Sequence, residues 1–459
     1  MPTFPHIPTA TKNIKTKYRT IKTKIPVPQS LPFLNKAYRY EISSMHGQMP
    51  IIWNKAENFQ ISDQWGNKWI DFSSTIFVSN AGHGNKRIIK ALTKTLSKPL
   101  LHTYTYTSPE RIEYLEYLIK NTPPYLNRAF LLSAGTEATE AGLKIMRLNA
   151  KKNKKRNPGI VSFEGNWHGR TMGAQFMCGN DPQKEWIGYD DPNMHRLKFP
   201  YYWIDEATKD PKSFFLKSIK VIEKQKNINF SKDICGIILE TFQGWGAIFY
   251  PKDFVKAICN YAKKNNILIC FDEMQAGFGR TGKLFGYMHY GVKPDLVCAG
   301  KGASSSLPLS LLMGNKSIMN YDNSGLSSTH SANPLTCAAG HANLKALIED
   351  GLIINSSKLG KLFHKRLNDI SKKYKSHLNI EVNGKGLVAG IIFKNKDNIP
   401  MKDLCKRICW DCLLNGLIVV FTGRESIKLA PPLSINLSAL NEGLDVFEKM
   451  IGKNLINNK

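Results

Sequence analysis

Residues 267–282 read ILICFDEMQAGFGRTG and residues 294–302 read PDLVCAGKG. Each is a short apolar run that ends abruptly in polar and glycine residues, the pattern of a strand covered on both faces. The first run delivers Asp272, Glu273, Met274 and Gln275 at its end, and the second delivers Lys301 between Gly300 and Gly302. Outward from this pair the rhythm continues. Strands are expected at 128–132, 159–163 and 234–239, with a helix over 136–150 behind the first. Continuous rather than alternating apolarity predicts an α/β fold, with a large, mostly parallel sheet flanked by helices and a smaller α/β domain beside it. The chemistry of such a sheet belongs at the carboxyl ends of its strands.

Each strand end can be read chemically. An aspartate leaving so apolar a strand needs a cation or a hydrogen-bond donor; a protonated ring nitrogen would serve, and so would a loop-capping role. A lysine drawn out of water loses proton affinity and becomes a nucleophile toward carbonyls, although with 51 lysines in the chain spacing alone does not single out Lys301. Ser133-Ala134-Gly135-Thr136 opens a helix directly after a strand, which presents free N–H groups to a phosphate or simply caps the helix. Gly277-Phe278-Gly279-Arg280-Thr281-Gly282 has the spacing of a dinucleotide fingerprint, but residues 272–276 separate it from its apolar run and a poor helix opening follows it, so that reading is rejected.

Composition narrows the classes further. The 459 residues are 42% hydrophobic and 22% charged, which excludes a disordered, collagenous or coiled-coil chain, and no apolar run is long enough to span a membrane. The net charge is +28, and residues 1–40 carry Lys12, Lys15, Lys17, Arg19, Lys22, Lys24, Lys36 and Arg39 with no acid before Glu41. Only 13 of the 64 basic residues are arginine, the side chain that base readout favours, so neither nucleic acid nor membrane is expected as a partner. The prolines at 5, 8, 26, 28 and 32 break any amphipathic helix, and residues 1–40 read as an extended arm lying on the body or on a partner subunit. The scattered cysteines fit a reducing, cytoplasmic setting, and Cys405, Cys409 and Cys412 have the spacing of one helix face rather than a complete metal site. QWGN at 64–67 predicts a hairpin turn, and further strands are expected at 386–393 and 417–421.

Taken together, SAGTEATE (133–140), FEGNWHGRT (163–171), ILETFQG (238–244), the two opening stretches, STHSANPLTCAAG (328–340) and KLAPPL (428–433) resemble the class III, or omega, aminotransferases of the fold type I pyridoxal phosphate superfamily. The resemblance implies pyridoxal 5'-phosphate as cofactor. It implies that Lys301 carries it and moves the proton, and that Asp272 keeps its ring nitrogen protonated. Gln275 would face the ring hydroxyl, Met274 and Trp167 the two ring faces, and Ala134, Gly135 and Thr136 the phosphate. Thr329 would reach into the site of a neighbouring subunit, which implies a homodimer or a tetramer of such dimers.

For substrate, the resemblance places Arg170 on a carboxylate and Ile76 on the pocket wall. Lys428 stands where 4-aminobutyrate and ornithine aminotransferases carry a second arginine, and Trp245 stands in place of its gating glutamate. This pair of departures predicts a donor bulkier or less acidic than 4-aminobutyrate, or pyruvate as acceptor in place of 2-oxoglutarate. The expected reaction moves an amino group from an amine or omega-amino acid to a 2-keto acid by ping-pong chemistry through Lys301. An aminomutase or a decarboxylase of the same family is the alternative, and a non-catalytic cofactor-binding protein a more distant one. The expected domains are the arm (1–40), a segment joining the small domain (41–75), the cofactor-binding domain (76–340) and a C-terminal small domain (341–459).

Overall fold

The computed structural model describes residues 3–155, 157–321 and 325–456. It divides into a larger unit, Lys86–Ile353, and a smaller one formed by Met1–Asn85 with Ile354–Lys459.

The larger unit is built on a seven-stranded sheet of β1 (Arg128–Leu132), β2 (Gly159–Phe163), β3 (Met194–Leu197), β4 (Ile234–Glu240), β5 (Leu268–Asp272), β6 (Leu296–Ala299) and β7 (Ser310–Gly314), in the spatial order 1-7-6-5-4-2-3. β5 runs parallel to β4 and β6, and β2 parallel to β4 and β3. β7 is antiparallel to both of its neighbours, β6 and β1. The sheet is therefore mostly parallel, as expected, with one inserted strand that sequence reasoning did not place. The chain between β6 and β7 is too short for a covering helix and can only double back. β3 was missed as well, because MHRL is short and half polar.

The helix Gly135–Lys152 follows β1 and lies on the sheet so closely that a Cβ at Gly142 would come within 3.4 Å of both Cys270 and Cys298 Sγ. Its Ala138, Ile145 and Met146 are fully buried beside Ile238, Leu296 and Leu312. Each such aliphatic side chain contributes about 1.5–3 kcal/mol on removal from water. The parallel strands end along one edge, which brings Glu240, Asp272 and the turn after β6 into line: Asp272 is in register with Glu240 on one side and Cys298 on the other.

In the smaller unit the hairpin at 64–67 forms as expected. Asp63 accepts hydrogen bonds from the N–H groups of Trp65 and Asn67, both at 2.9 Å, and Gly66 supplies the positive φ of the turn. Three expectations need correction. Residues 14–15 and 20–21 are strands at the edge of the hairpin's sheet, and Ile21 and Ile25 are fully buried, so this part of the arm belongs to the core of its own unit. Arg19 fastens it further, pairing with Glu442 at 2.7 Å and donating to the Asn415 carbonyl at 2.6 Å. A helix spans Leu31–Tyr40 despite Pro32, which sits in its first turn where no N–H is needed. The strand expected over 386–393 forms at Val388–Lys394 but starts two residues later, because Gly386, at φ +60°, turns the chain back onto a partner strand, Asn379–Lys385, that was not expected. Cys405, Cys409 and Cys412 are all buried on the helix Lys402–Leu414.

Candidate active site

Lys301 opens a single helical turn directly after β6, with its backbone in the left-handed region at φ +46°. A lysine there is strained by about 1 kcal/mol or more, a cost usually met where the side chain must be aimed. Desolvation lowers the proton affinity of its amine, against the opposing pull of Asp272 and Glu240. Asp272 itself is buried. One carboxylate oxygen accepts from the Met274 N–H at 3.0 Å and the other lies 2.8 Å from Nδ1 of His168. His168 is buried too, and its Nε2 has no partner among the described residues, so the ring presents its N–H to Asp272.

Around this pair the crevice is opened by glycines. A Cβ at Gly135 would fall 2.8 Å from Met274 Sδ, and one at Gly300 would fall 2.7 Å from the same atom. Met274 is thus wedged between the start of the helix and the residue before Lys301. Glu137 turns back to accept from the N–H groups of Ser133 and Ala134 at 2.9 and 2.7 Å. The next two N–H groups, of Gly135 and Thr136, make no hydrogen bond among the described residues and stand at the positive end of an 18-residue helix. The Thr136 hydroxyl meets that of Thr171 at 2.5 Å, which ties the loop after β2 to the helix start.

That loop carries Trp167, whose N–H donates to Glu240 at 2.9 Å, and exposed Arg170, whose guanidinium lies 4.8 Å over the Trp167 ring. Gly244, directly after the hairpin strand Phe242–Gln243, leans on Gln275: a Cβ there would fall 2.3 Å from Gln275 Nε2. Trp245 follows and donates its indole N–H to Gln243 at 2.5 Å. Thr329 is exposed on its loop, and its carbonyl accepts from His102 at 2.8 Å.

Two candidate residues belong to the smaller unit. Residues Ser74 to Phe77 form a complete left-handed turn, with φ between +46° and +69° at all four positions. For β-branched Thr75 and Ile76 this is strongly disfavoured. The turn is held by Ser74 donating to the Ala430 carbonyl at 2.6 Å and by Asp71, which receives the Ser73 N–H and hydroxyl at 2.7 and 2.6 Å. Ile76 lines a 420 Å³ cavity with Trp53, Ile51 and Phe421. Lys428 is buried, with its ammonium 4.4 Å over the ring of Phe77.

Sequence reasoning gave no role to His168, Glu240 or Glu273. Glu273 is fully buried and accepts from the Thr241 hydroxyl and from the N–H groups of Gly286 and Tyr287 at 2.6 and 2.7 Å. The only available signal was position: Glu240 and Glu273 end apolar strands as Asp272 does, and His168 stands in the same loop as Trp167 and Arg170.

A parallel sheet whose adjacent strand ends hold a desolvated lysine and a buried carboxylate, beside a glycine-opened helix start, is the framework of fold type I pyridoxal phosphate-dependent transferases. Residues 42–451 match the family Aminotransferase class-III, and the chain belongs to that family. It is 30% identical over 451 residues to a 4-aminobutyrate aminotransferase of Mycobacterium leprae, covering 95% of this chain and 98% of that one. An acetylornithine aminotransferase of Clostridium acetobutylicum is 30% identical over 425 residues, covering 91% and 100%. A transaminase structure from the marine bacterium Virgibacillus superposes with a TM-score of 0.84 over 93% of this chain and 100% of that one, at 22% identity. The protein is therefore an aminotransferase that uses pyridoxal phosphate. Among the described residues no helix is long and apolar enough to cross a membrane.

The residues present fit that cofactor. Two undonated N–H groups at a long helix start suit its phosphate, a buried carboxylate held by His168 suits its ring nitrogen, and the glycines at 135, 244 and 300 leave room where any side chain would collide.

Proposed function

We propose that Lys301 and Asp272 are the catalytic pair, and the observation that carries the reading is their placement at neighbouring strand ends with the amine's proton affinity lowered. Pyridoxal phosphate, when bound, supplies a carbonyl that takes up the donor's amine and a ring that accepts the electrons left when a C–H bond breaks. Lys301 holds and returns the proton of that bond, a task for which a depressed pKa suits it near neutral pH. Asp272 keeps a negative charge against the ring nitrogen, and His168 keeps Asp272 oriented. Gly135 and Thr136 would hold the phosphate together with Ala134, whose N–H here donates to Glu137. Met274 and Trp167 bracket the ring, and Gln275 faces its hydroxyl.

Arg170 is the carboxylate-binding cation, and its distance to the Trp167 ring fits a side chain kept near the crevice. Ile76 and Lys428 are the further substrate-side candidates. With tryptophan at 245 and a point-charge lysine at 428, the donor is bulkier or less acidic than 4-aminobutyrate, or the acceptor is pyruvate. The working assembly is a homodimer in which exposed Thr329 serves the partner's site. The nine free cysteines fit a reducing cytoplasm.

The purified holoenzyme tests this. A visible cofactor band bleached by an amine and restored by a keto acid, with no carbon dioxide released, is the expected result. Turnover with 4-aminobutyrate and 2-oxoglutarate as good as with any other pair would defeat the substrate reading, and bleaching that survives in Lys301→Ala would defeat the assignment of the lysine.

A further inference from the structure

Beside the crevice, the larger unit carries an aromatic group that the catalytic reading does not use. Tyr201 and Trp203 stack face to face, with centroids 4.3 Å apart and planes 10° apart, and Tyr202 packs edge-on against Trp203 at 4.8 Å. Trp245 stands 6.4 Å from Tyr201. Gln243 ties the group together: its carbonyl oxygen accepts both the Tyr201 hydroxyl, at 2.6 Å, and the Trp245 indole N–H, at 2.5 Å. Its amide donates to the Glu164 carbonyl at 2.6 Å. Gln243 is fully buried, so this cross-link is shielded from water.

The group is joined to the site at two points. Gly165, two residues before Trp167, is pressed against it: a Cβ there would fall 2.5 Å from Gln243 Nε2 and 3.0 Å from the Tyr201 hydroxyl. Gly244, between Gln243 and Trp245, sits against Gln275 and Glu240. Trp203 nevertheless keeps 44% of its surface exposed and Tyr202 39%. The buried amide holds Tyr201 and Trp245, Tyr201 in turn stacks on Trp203, and the exposed rings of Trp203 and Tyr202 are costly to keep in water and suit a flat apolar group.

We infer that Tyr201 and Trp245, fixed by Gln243, and Trp203, stacked on Tyr201, are the specificity surface for an amine donor that carries a planar apolar substituent, such as an arylalkylamine. This rests on the transaminase reading above and adds a donor class to it. Ring stacking of this kind changes specificity by roughly tenfold.

The test uses holoenzyme with pyruvate as acceptor and compares kcat/KM for 2-phenylethylamine and 4-aminobutyrate. The wild type is expected to favour 2-phenylethylamine by at least about tenfold. Trp203→Ala is expected to lose about tenfold on that donor while changing 4-aminobutyrate less than about twofold, and Trp203→Phe, which keeps the packing, to fall between. A wild-type preference for 4-aminobutyrate, or equal losses on both donors in both variants, overturns the inference. A cofactor band that no amine bleaches overturns the transaminase reading instead, and is read separately from either ratio.

Discussion

The strand ends of the larger unit and the first thirty residues of the smaller one treat charge in opposite ways. At the strand ends Glu240, Asp272 and Glu273 are buried, Lys301 is desolvated, and Lys301 adopts a strained backbone. Along residues 12–27 the lysines face water: Lys12, Lys15, Lys17, Lys22 and Lys24 are exposed while Ile21, Ile25 and Val27 are buried and Arg19 is paired with Glu442. The first arrangement costs stability and prepares chemistry; the second contributes stability and prepares none. Substitutions should therefore separate activity from stability according to region.

The largest separation is expected at Lys301. Lys301→Ala should lower transamination by at least about 10⁴-fold, because proton transfer and cofactor attachment are lost together. Its unfolding free energy in urea should stay within about 1 kcal/mol of wild type or rise, since a desolvated amine is removed while the left-handed backbone strain stays with alanine. A variant both inactive and several kcal/mol less stable would place Lys301 with the structural residues and break the contrast.

The converse experiment is Ile21→Ala. Removing a fully buried isoleucine should cost about 2–5 kcal/mol in urea unfolding, with kcat of the folded fraction unchanged. Lys22→Ala, next along the chain but exposed, should stay within about 0.5 kcal/mol. Equal small effects from both would return residues 14–27 to the status of a detachable arm.

Glu273 sharpens the comparison, being a strand-end charge with a structural role. Burial pushes its carboxyl up from 4.5 to about 7, although the Thr241 hydroxyl and two backbone N–H groups pull the other way. A raised carboxyl contributes stability that is complete below its unfolded value and is lost as pH rises through the folded one. The loss between pH 4.5 and about 7 amounts to about 3 kcal/mol as an order of magnitude. Glu273→Gln should remove that slope from a stability profile between pH 5 and 8. Any constant cost from the amide among three donors shifts the whole curve and leaves the readout intact.

The same contrast explains what could be read from sequence. The strand-end motifs were legible because apolar runs and glycine turns are local, and because the order of several such motifs along the chain is far more specific than any one of them. The arm was read through composition as an extended segment lying on the body or on a partner subunit, whereas Ile21, Ile25 and Val27 alternating with Lys22 and Lys24 already carried the period of a half-buried strand. β7 was illegible because its direction depends on a neighbour in space. Gln243, Tyr201 and Trp203 were invisible as a unit, since about 40 residues separate partners joined by one amide.

His168 is the smallest effect and the sharpest test of where the chemical region ends. It lies in the core by every measure of burial, yet the one hydrogen bond its ring makes among the described residues is to the Asp272 carboxylate at 2.8 Å, and its Nε2 meets no partner among them. A purely structural histidine would be expected to satisfy both nitrogens; one kept for orientation needs only Nδ1. As a positioning residue it should cost 10–100-fold when lost, as groups that orient a direct ligand commonly do, whereas an incidental core contact costs stability alone. His168→Phe is expected to lower kcat by roughly that factor and to weaken cofactor binding, measured by absorbance titration of the apoenzyme, by a similar one. His168→Asn, which can still donate to Asp272, should recover most of both. Equal defects in the two variants, confined to thermal stability, would move His168 across the boundary to the side of Ile21.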